Sequence, residues 1–135
     1  MKAMILGLII WIVTGMIALA TADTCGYATY YTVASCKAEG TSGVLTASGK
    51  QYDESQMTCA LPFHPRKVNG RRAWGQRYRI TNLRTGKSII CTHLDYGPGK
   101  KARTRGVVCD LTPAAFKALG GKLRDGRIKV KVEKI

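Results

Sequence analysis

The chain has 135 residues, and its 22 lysines and arginines outnumber its eight aspartates and glutamates to give a formal net charge of +14. It contains no repeat, linker or low-complexity segment, which excludes a repeat architecture and favours one domain of ordinary size. A charge of this size favours polyanionic partners, although a basic surface that only aids solubility is the alternative.

The first 22 residues have the composition of a secretory signal peptide. Lys2 is followed by the apolar run Ile5 to Ile17, and the small residues Ala20-Thr21-Ala22 suit a cleavage site. We expect cleavage after Ala22, which leaves residues 23–135 as one domain with a charge of +13 and no stable membrane anchor. An uncleaved anchor is the alternative. The expected location is secreted, periplasmic or in the cell envelope, where nucleic acid is a poor partner.

The five cysteines all follow the predicted signal peptide, at positions 25, 36, 59, 91 and 109. Export permits disulfides, but five is an odd number, so at most two bridges form and one thiol is left over. The spacings contain no CxxC pair, so we predict neither a zinc site nor any other cofactor.

The first half of this domain contains short apolar segments separated by turn residues. Strands are predicted at Gly26–Thr32, Val44–Ala47 and Met57–Leu61, because aromatic and β-branched residues are common there. A basic loop follows over residues 64–72, with a turn at Asn69-Gly70.

The second half of the domain has clearer strand patterns. Polar and apolar residues alternate in Arg77–Leu83 and again over residues 127–133, and a further strand is predicted at Lys87–Leu94. One short helix is expected to begin after the N-cap Thr112 and to end at Gly120. This pattern predicts a mainly all-β fold, either a small barrel or a sandwich.

The order of these segments resembles the rare lipoprotein A (RlpA) family. The matching segments are ATYYT, LTASGKQYD, MTCALP, YRITNLRTGKSIICTHLDYGPG, RGVVCDLTPAAFKALG and GRIKVKVE. The resemblance implies a six-stranded double-psi β-barrel with one or two short helices, a groove for a polysaccharide, and lytic cleavage of peptidoglycan strands. Expansins and family-45 endoglucanases share the barrel, so the fold alone does not choose between cleavage, wall loosening and binding.

The resemblance implies that Asp95, in the segment DYGPG, is the catalytic general acid/base. Family enzymes usually carry a glutamate after the TASG turn and a histidine before LP, whereas this chain has Lys50 and Ala60. One acid can suffice for lytic transglycosylation if its pKa is raised by an apolar surround. The alternative for Asp95 is a structural role in the turn. By period two, His93 and Asp95 are expected on one face of their strand, and family register makes that face the inner one.

Further candidates are assigned supporting and binding roles. His64, His93 and Asp110 are the supporting candidates, each with a structural alternative: an exposed loop residue, a core histidine and a barrel brace. The substrate-binding candidates are Lys50, Tyr52, Asp53 and Tyr96, and the other aromatic platforms are Tyr30, Tyr31 and Trp74.

The strand positions of relatives also suggest a cysteine arrangement. Cys91 and Cys109 are interpreted as buried thiols or as a bridge, and Cys36 with Cys59 as the second bridge, which leaves Cys25 unpaired.

Three functions follow from these patterns. The main interpretation is a monomeric, secreted endolytic transglycosylase that acts on peptidoglycan or another anionic wall polysaccharide. The alternative is a non-catalytic glycan-binding or expansin-like module, which Lys50 and Ala60 favour. The third is a basic protein directed at another protein or at a membrane surface.

Overall fold

A computed structural model describes residues 23–40 and 43–135. The predicted signal peptide, residues 1–22, lies outside these ranges. Within them, no helix combines the length and the apolar character needed to cross a membrane.

The described residues form eight strands, three short α-helices and one 3-10 turn. The strands are β1 (Thr24–Tyr30), β2 (Thr58–Leu61), β3 (Lys67–Val68), β4 (Arg71–Arg72), β5 (Arg77–Asn82), β6 (Ser88–Tyr96), β7 (Val107–Leu111) and β8 (Ile128–Lys134). The helices are α1 (Val33–Ala38), α2 (Lys100–Thr104) and α3 (Pro113–Ala118), and the 3-10 turn is Leu123–Asp125.

Six strands close into a barrel in the order β1-β7-β2-β6-β5-β8. The pairs β1–β7 and β2–β6 are parallel and the other four pairs are antiparallel. Closure leaves these strands with no free sheet edge. The predicted mainly-β barrel is therefore confirmed, and β3 and β4 form a separate two-stranded hairpin.

The barrel interior is filled by the inward faces of its strands and sealed by α3. On β5, Tyr78 and Ile80 are buried while Arg77 and Arg79 are exposed, as the alternation predicts. Helix α3 is preceded by Thr112. The side chain of Thr112 accepts a hydrogen bond from the Ala115 amide, as the predicted N-cap requires. The fully buried apolar residues of this core include Phe116, Leu61, Ile80, Leu111, Leu119 and Val130.

Two local predictions were wrong. Val44–Ala47 is not a strand, because the segment makes only an isolated bridge between Leu45 and Gln51 before turning back. The described residues contain three α-helices where one or two were expected. Helix α1 lacks a periodic apolar face but has a capping box between Thr32 and Ser35, and α2 follows the Gly97-Pro98 turn.

The predicted disulfides are also absent, since no two of the five cysteines are bonded. Cys91 on β6 and Cys109 on β7 are separated by β2, so two strand spacings of about 4.8 Å place their backbones about 9–10 Å apart. That exceeds the reach of a bridge. Cys59 points into the core, whereas Cys36 lies on α1 outside the barrel wall. Burial raises the pKa of the Cys91 thiol to about 12.

Candidate active site

Four neighbouring strands place a row of four residues side by side on the outer face of the barrel. Thr29 of β1 pairs with Asp110 of β7, Asp110 pairs with Ala60 of β2, and Ala60 pairs with Asp95 of β6. Paired residues on adjacent strands point to the same side of a sheet. The two aspartates therefore flank Ala60 and face the same space.

A shift of register in β6 turns Asp95 to this face. Cys59 pairs with His93 but the next residue, Ala60, pairs with Asp95, so Leu94 is an extra residue on β6. Such bulges re-aim the side chains that follow them. His93 points into the barrel and is fully buried, while Asp95 points outward. The expectation that these two residues share the inner face was wrong for this reason.

The Asp95 carboxylate is held by two backbone amides. Oδ1 accepts hydrogen bonds from the Ala47 amide at 3.1 Å and from the Tyr96 amide at 2.9 Å. Burial raises the pKa of Asp95 above its ordinary value, although these two bonds and the nearby Tyr31 hydroxyl act to lower it. Both amides reach Oδ1, so neither engages Oδ2. The two amides fix the carboxyl group, while burial makes its ionised form less favourable than it is in water.

Asp110 lies in a similar environment on the other side of Ala60. The Thr29 hydroxyl donates a hydrogen bond to Asp110 Oδ1. Burial raises the pKa of Asp110 and the negative charges of Glu39 and Asp95 raise it further, while the bond from Thr29 opposes them. The backbone of Gly97 passes so close that a Cβ there would lie 3.0 Å from Asp110 Oδ2. Asp110 thus lies beside the turn after β6 and lines the same cleft as Asp95.

Both carboxylates line an open cleft of about 1080 Å³. Its walls include the predicted binding residues Tyr52 and Tyr96. The rings of Tyr31 and Tyr52 stack with centroids 4.5 Å apart, and the Tyr52 hydroxyl donates to the Tyr31 carbonyl. Tyr96 is 42% exposed, so part of its side chain remains accessible although His64 and Trp74 pack against its ring. Aromatic faces of this kind suit the C–H faces of sugars.

The two histidines occupy different places. His93 Nε2 lies 2.9 Å from the Asp95 carbonyl oxygen, and burial lowers the pKa of the ring. His93 is therefore a neutral core residue that positions the Asp95 backbone. His64 is exposed, and its ring packs edge-on against Tyr96 with centroids 4.9 Å apart. His64 is not among the residues that line the cleft, and it adjoins the cleft only through its contact with Tyr96.

Two of the predicted binding residues lie in a second cleft. Lys50 and Asp53 line this cleft, and Tyr52 lines both clefts. Asp53 accepts hydrogen bonds from the Ser55 amide and hydroxyl at 2.9 and 2.6 Å, which is the geometry of a turn. The structure thus brings Asp95, Asp110, Tyr52 and Tyr96 together and leaves Lys50 and Asp53 apart from them.

Several groups of the main cleft have no signal in the sequence. The Ala47 amide is a backbone group, Thr29 approaches Asp110 because β1 pairs with β7, and Glu39 comes near Asp110 only in the folded chain. A basic rim could have been suspected from the run KKARTR, because Lys100, Lys101 and Arg105 line the cleft together with Arg127. Residues 23–40 and 43–135 contain no cluster of metal-binding side chains.

Two curated cyanobacterial proteins are similar to this chain. It is 34% identical over 100 residues to the probable endolytic peptidoglycan transglycosylase RlpA of Nostoc sp. (strain PCC 7120), and 34% identical over 91 residues to that of Synechocystis sp. (strain PCC 6803). The alignments cover 72% and 65% of this chain but only 23% and 24% of those proteins, so the chain spans about a quarter of their length. No family model matches the chain.

Two solved structures share the fold. A Streptomyces papain inhibitor superimposes with a TM-score of 0.60 at 20% identity, over 83% of this chain and 93% of the inhibitor. An expansin of Clavibacter michiganensis superimposes with a TM-score of 0.56 at 22% identity, over 84% of this chain and 50% of the expansin. The sequence and structure comparisons together confirm the predicted likeness and the barrel type.

Proposed function

We propose that this chain, which is similar to RlpA proteins in sequence and folds as a closed six-stranded barrel, is a cell-envelope enzyme that cleaves peptidoglycan glycan strands as an endolytic transglycosylase. Asp95 is its general acid and base. The observation that carries the proposal is the outward-facing Asp95 carboxyl, fixed by the Ala47 and Tyr96 amides, with its pKa raised by burial in a cleft lined by tyrosines.

The chemistry needs one proton donor that later accepts a proton. Protonated Asp95 gives its proton to the glycosidic oxygen as the bond from C1 to that oxygen breaks. The sugar's own 6-hydroxyl then attacks C1, and its proton passes to the Asp95 carboxylate. The new bond from O6 to C1 leaves an anhydro end, no water is consumed, and Asp95 is protonated again. A raised pKa suits both steps, because the group must hold a proton near neutral pH.

Asp110 is assigned a supporting role in this scheme. The negative charge of Asp95 raises the pKa of Asp110, so the protonation of the two groups is linked. The hydrogen bond from Thr29 fixes the Asp110 carboxyl group beside the turn that contains Gly97. A hydrolase would instead use the two carboxyl groups together, one as acid and one as base or nucleophile.

The second candidate function is a glycan-binding or wall-loosening module. The residue between the two aspartates is Ala60, so the row contains no imidazole that could assist proton transfer. Lys50 lies in the second cleft and brings no carboxylate to Asp95. These two observations favour binding without cleavage.

The nature of the products separates these functions. Purified protein is incubated with peptidoglycan strands stripped of stem peptides, and the products are analysed by mass spectrometry. We expect anhydro-ended fragments, which are 18 Da lighter than hydrolysis products because no water is added. Fragments with reducing ends would indicate a hydrolase, and retention of intact strands without fragments would indicate a binding module.

A second test introduces the two residues that family enzymes usually carry at positions 50 and 60. The double substitution Lys50→Glu and Ala60→His should raise the rate of cleavage, because it adds an imidazole between the two carboxyl groups. Ala60→Leu, which fills the same space without a titratable group, is the matched control. If the cleft only binds glycan, neither variant will produce fragments.

A further inference from the structure

The hairpin β3–β4 is a compact group of positive charges that the proposed chemistry does not use. Its residues 66–72 read Arg-Lys-Val-Asn-Gly-Arg-Arg, and all seven are exposed. In the described part of the chain both salt bridges go to Glu133, from Arg79 and Lys131, so none of the four hairpin cations has an acidic partner there.

The hairpin is held in one shape despite this repulsion. Asn69 and Gly70 have φ angles of 49° and 74°, as a two-residue turn between antiparallel strands requires. Lys67 then lies directly opposite Arg72. Like charges at opposite positions destabilise a hairpin, so this pairing has a cost in stability that an anionic ligand would remove.

The base of the hairpin is attached to the cleft. His64, just before it, and Trp74, just after it, both pack against the ring of Tyr96 with centroids 4.9 Å away. Arg72 donates from its guanidinium to the Pro65 carbonyl at 3.3 Å, which closes the base. Because Tyr96 lines the cleft beside Asp95, the hairpin stands at one end of the candidate active site.

We propose that this hairpin binds the phosphate groups of a phosphodiester-bearing wall polymer and so holds the polymer at the Tyr96 end of the cleft. Three of the four cations are arginines, whose planar guanidinium groups match the two free oxygens of a phosphodiester. A membrane surface fits less well, since Val68 is the single large apolar side chain of the hairpin and the tip is Asn-Gly. This proposal rests on the proposed function only for the location of the ligand, which is the cell envelope.

The test compares two variants that lose the same charge. The hairpin variant is Arg66→Gln, Lys67→Gln and Arg71→Gln, and it keeps Arg72 because that side chain closes the base. The control is Arg84→Gln, Lys117→Gln and Lys122→Gln. All three control residues are exposed. They lie around the far end of β5, where Asn82 Nδ2 donates to the Leu119 carbonyl.

Binding of inorganic polyphosphate to the full chain is measured at several salt concentrations. We expect the hairpin variant to bind at least about tenfold more weakly than the wild type, and the control variant to lose much less. The slope of log K against log salt should fall by about 2 in the hairpin variant, at about 0.7 per lost phosphate contact.

Three results would overturn the proposal. The first is equal loss in both variants, which would mean that net charge alone attracts the polymer. The second is equal binding of polygalacturonate, which would show that phosphate is not distinguished from carboxylate. The third is binding to phosphatidylglycerol vesicles but not to polyphosphate. Cleavage of short phosphate-free strands should be unchanged in the hairpin variant. If the wild type does not cleave these strands, the proposed function fails, whereas the binding measurement still tests the hairpin.

Discussion

Asp110 combines burial with two nearby negative charges, and this combination links its protonation to folding. The pKa of Asp110 is raised in the folded chain, so the folded state holds this proton more tightly than the unfolded state. The contribution of Asp110 to the free energy of unfolding therefore falls as pH rises from about 4, the ordinary aspartate pKa, through the raised folded pKa.

Asp110→Asn should remove this part of the pH dependence. We expect the free energy of unfolding of the variant to fall less between pH 4 and pH 7 than that of the wild type, measured by urea denaturation. Asp53→Asn is the control, because hydrogen bonds from Ser55 lower the pKa of that exposed carboxyl and move its effect below pH 4. Parallel curves for wild type and Asp110→Asn would contradict the expectation.

For single residues, the sequence indicated which side chains belong to the candidate site better than it indicated what those side chains contact. Asp95 stood out because the DYGPG turn follows it, but its amide donor Ala47 is 48 positions away and carries no side-chain signal. His93 was expected to share a face with Asp95, and one extra residue in β6 separated them. A bulge depends on the neighbouring strand, so the alternation of one strand cannot predict it.

Among the elements, α3 shows how one side chain can stabilise two segments. Thr112 caps the helix by accepting from the Ala115 amide at 3.2 Å, and its hydroxyl donates to the Gln56 carbonyl at 2.6 Å. Thr112 is fully buried, so without its hydroxyl the Ala115 amide would lose its acceptor, and the Gln56 carbonyl would keep only the bond from the Thr58 amide. The helix in turn places Phe116 and Leu119 in the core.

Thr112→Ala should therefore lower the free energy of unfolding by about 1–3 kcal/mol, from the lost cap and the lost hydrogen bond to the Gln56 carbonyl. Thr112→Ser keeps the hydroxyl and should recover most of this loss. Thermal or urea unfolding measures both variants. An alanine variant as stable as the serine variant would show that the cap contributes nothing.

Strands and helices differed in how well they could be predicted. β5, β8 and α3 followed from alternation, a cap and a terminal glycine, which are all local signals. Helices α1 and α2 have six and five residues and no buried side chain, so no apolar periodicity marks them. The Val44–Ala47 segment has strand-forming residues, but it folds back after a single bridge.

For the whole molecule, the barrel interior isolates three thiols from solvent. Cys59, Cys91 and Cys109 are fully buried and burial raises the pKa of each. The thiolate is the reactive form, so both effects reduce their reactivity. Cys25 lies exposed near the start of β1.

A thiol reagent such as DTNB should consequently react fast with Cys25 and react with the three core thiols only as the chain unfolds. Reducing agent should leave the melting temperature unchanged, because no two cysteines are bonded. The protein is labelled with and without urea and then digested with trypsin, and the labelled peptides identify the positions that reacted. Fast labelling of Cys109 in the native protein, or a fall in melting temperature on reduction, would contradict this arrangement.

The row of residues that contains the two candidate aspartates also belongs to the whole molecule. Thr29, Ala60, Asp95 and Asp110 come from four strands and meet only when the barrel closes in its observed order. No local pattern brings such distant positions together. The resemblance to RlpA proteins predicted the fold, and the strand register of the structure identified the neighbours of Asp95.

The central claim is that Asp95 supplies the proton for cleavage, and its most direct test is the initial rate of anhydro-fragment formation by wild type, Asp95→Asn and Asp110→Asn. Asparagine can still accept the Ala47 and Tyr96 amide bonds but cannot donate an acidic proton. We predict that Asp95→Asn lowers the rate by about 10²–10⁴ while fold and strand retention persist, with a smaller loss in Asp110→Asn. Retained activity in Asp95→Asn, with loss in Asp110→Asn, would contradict the claim.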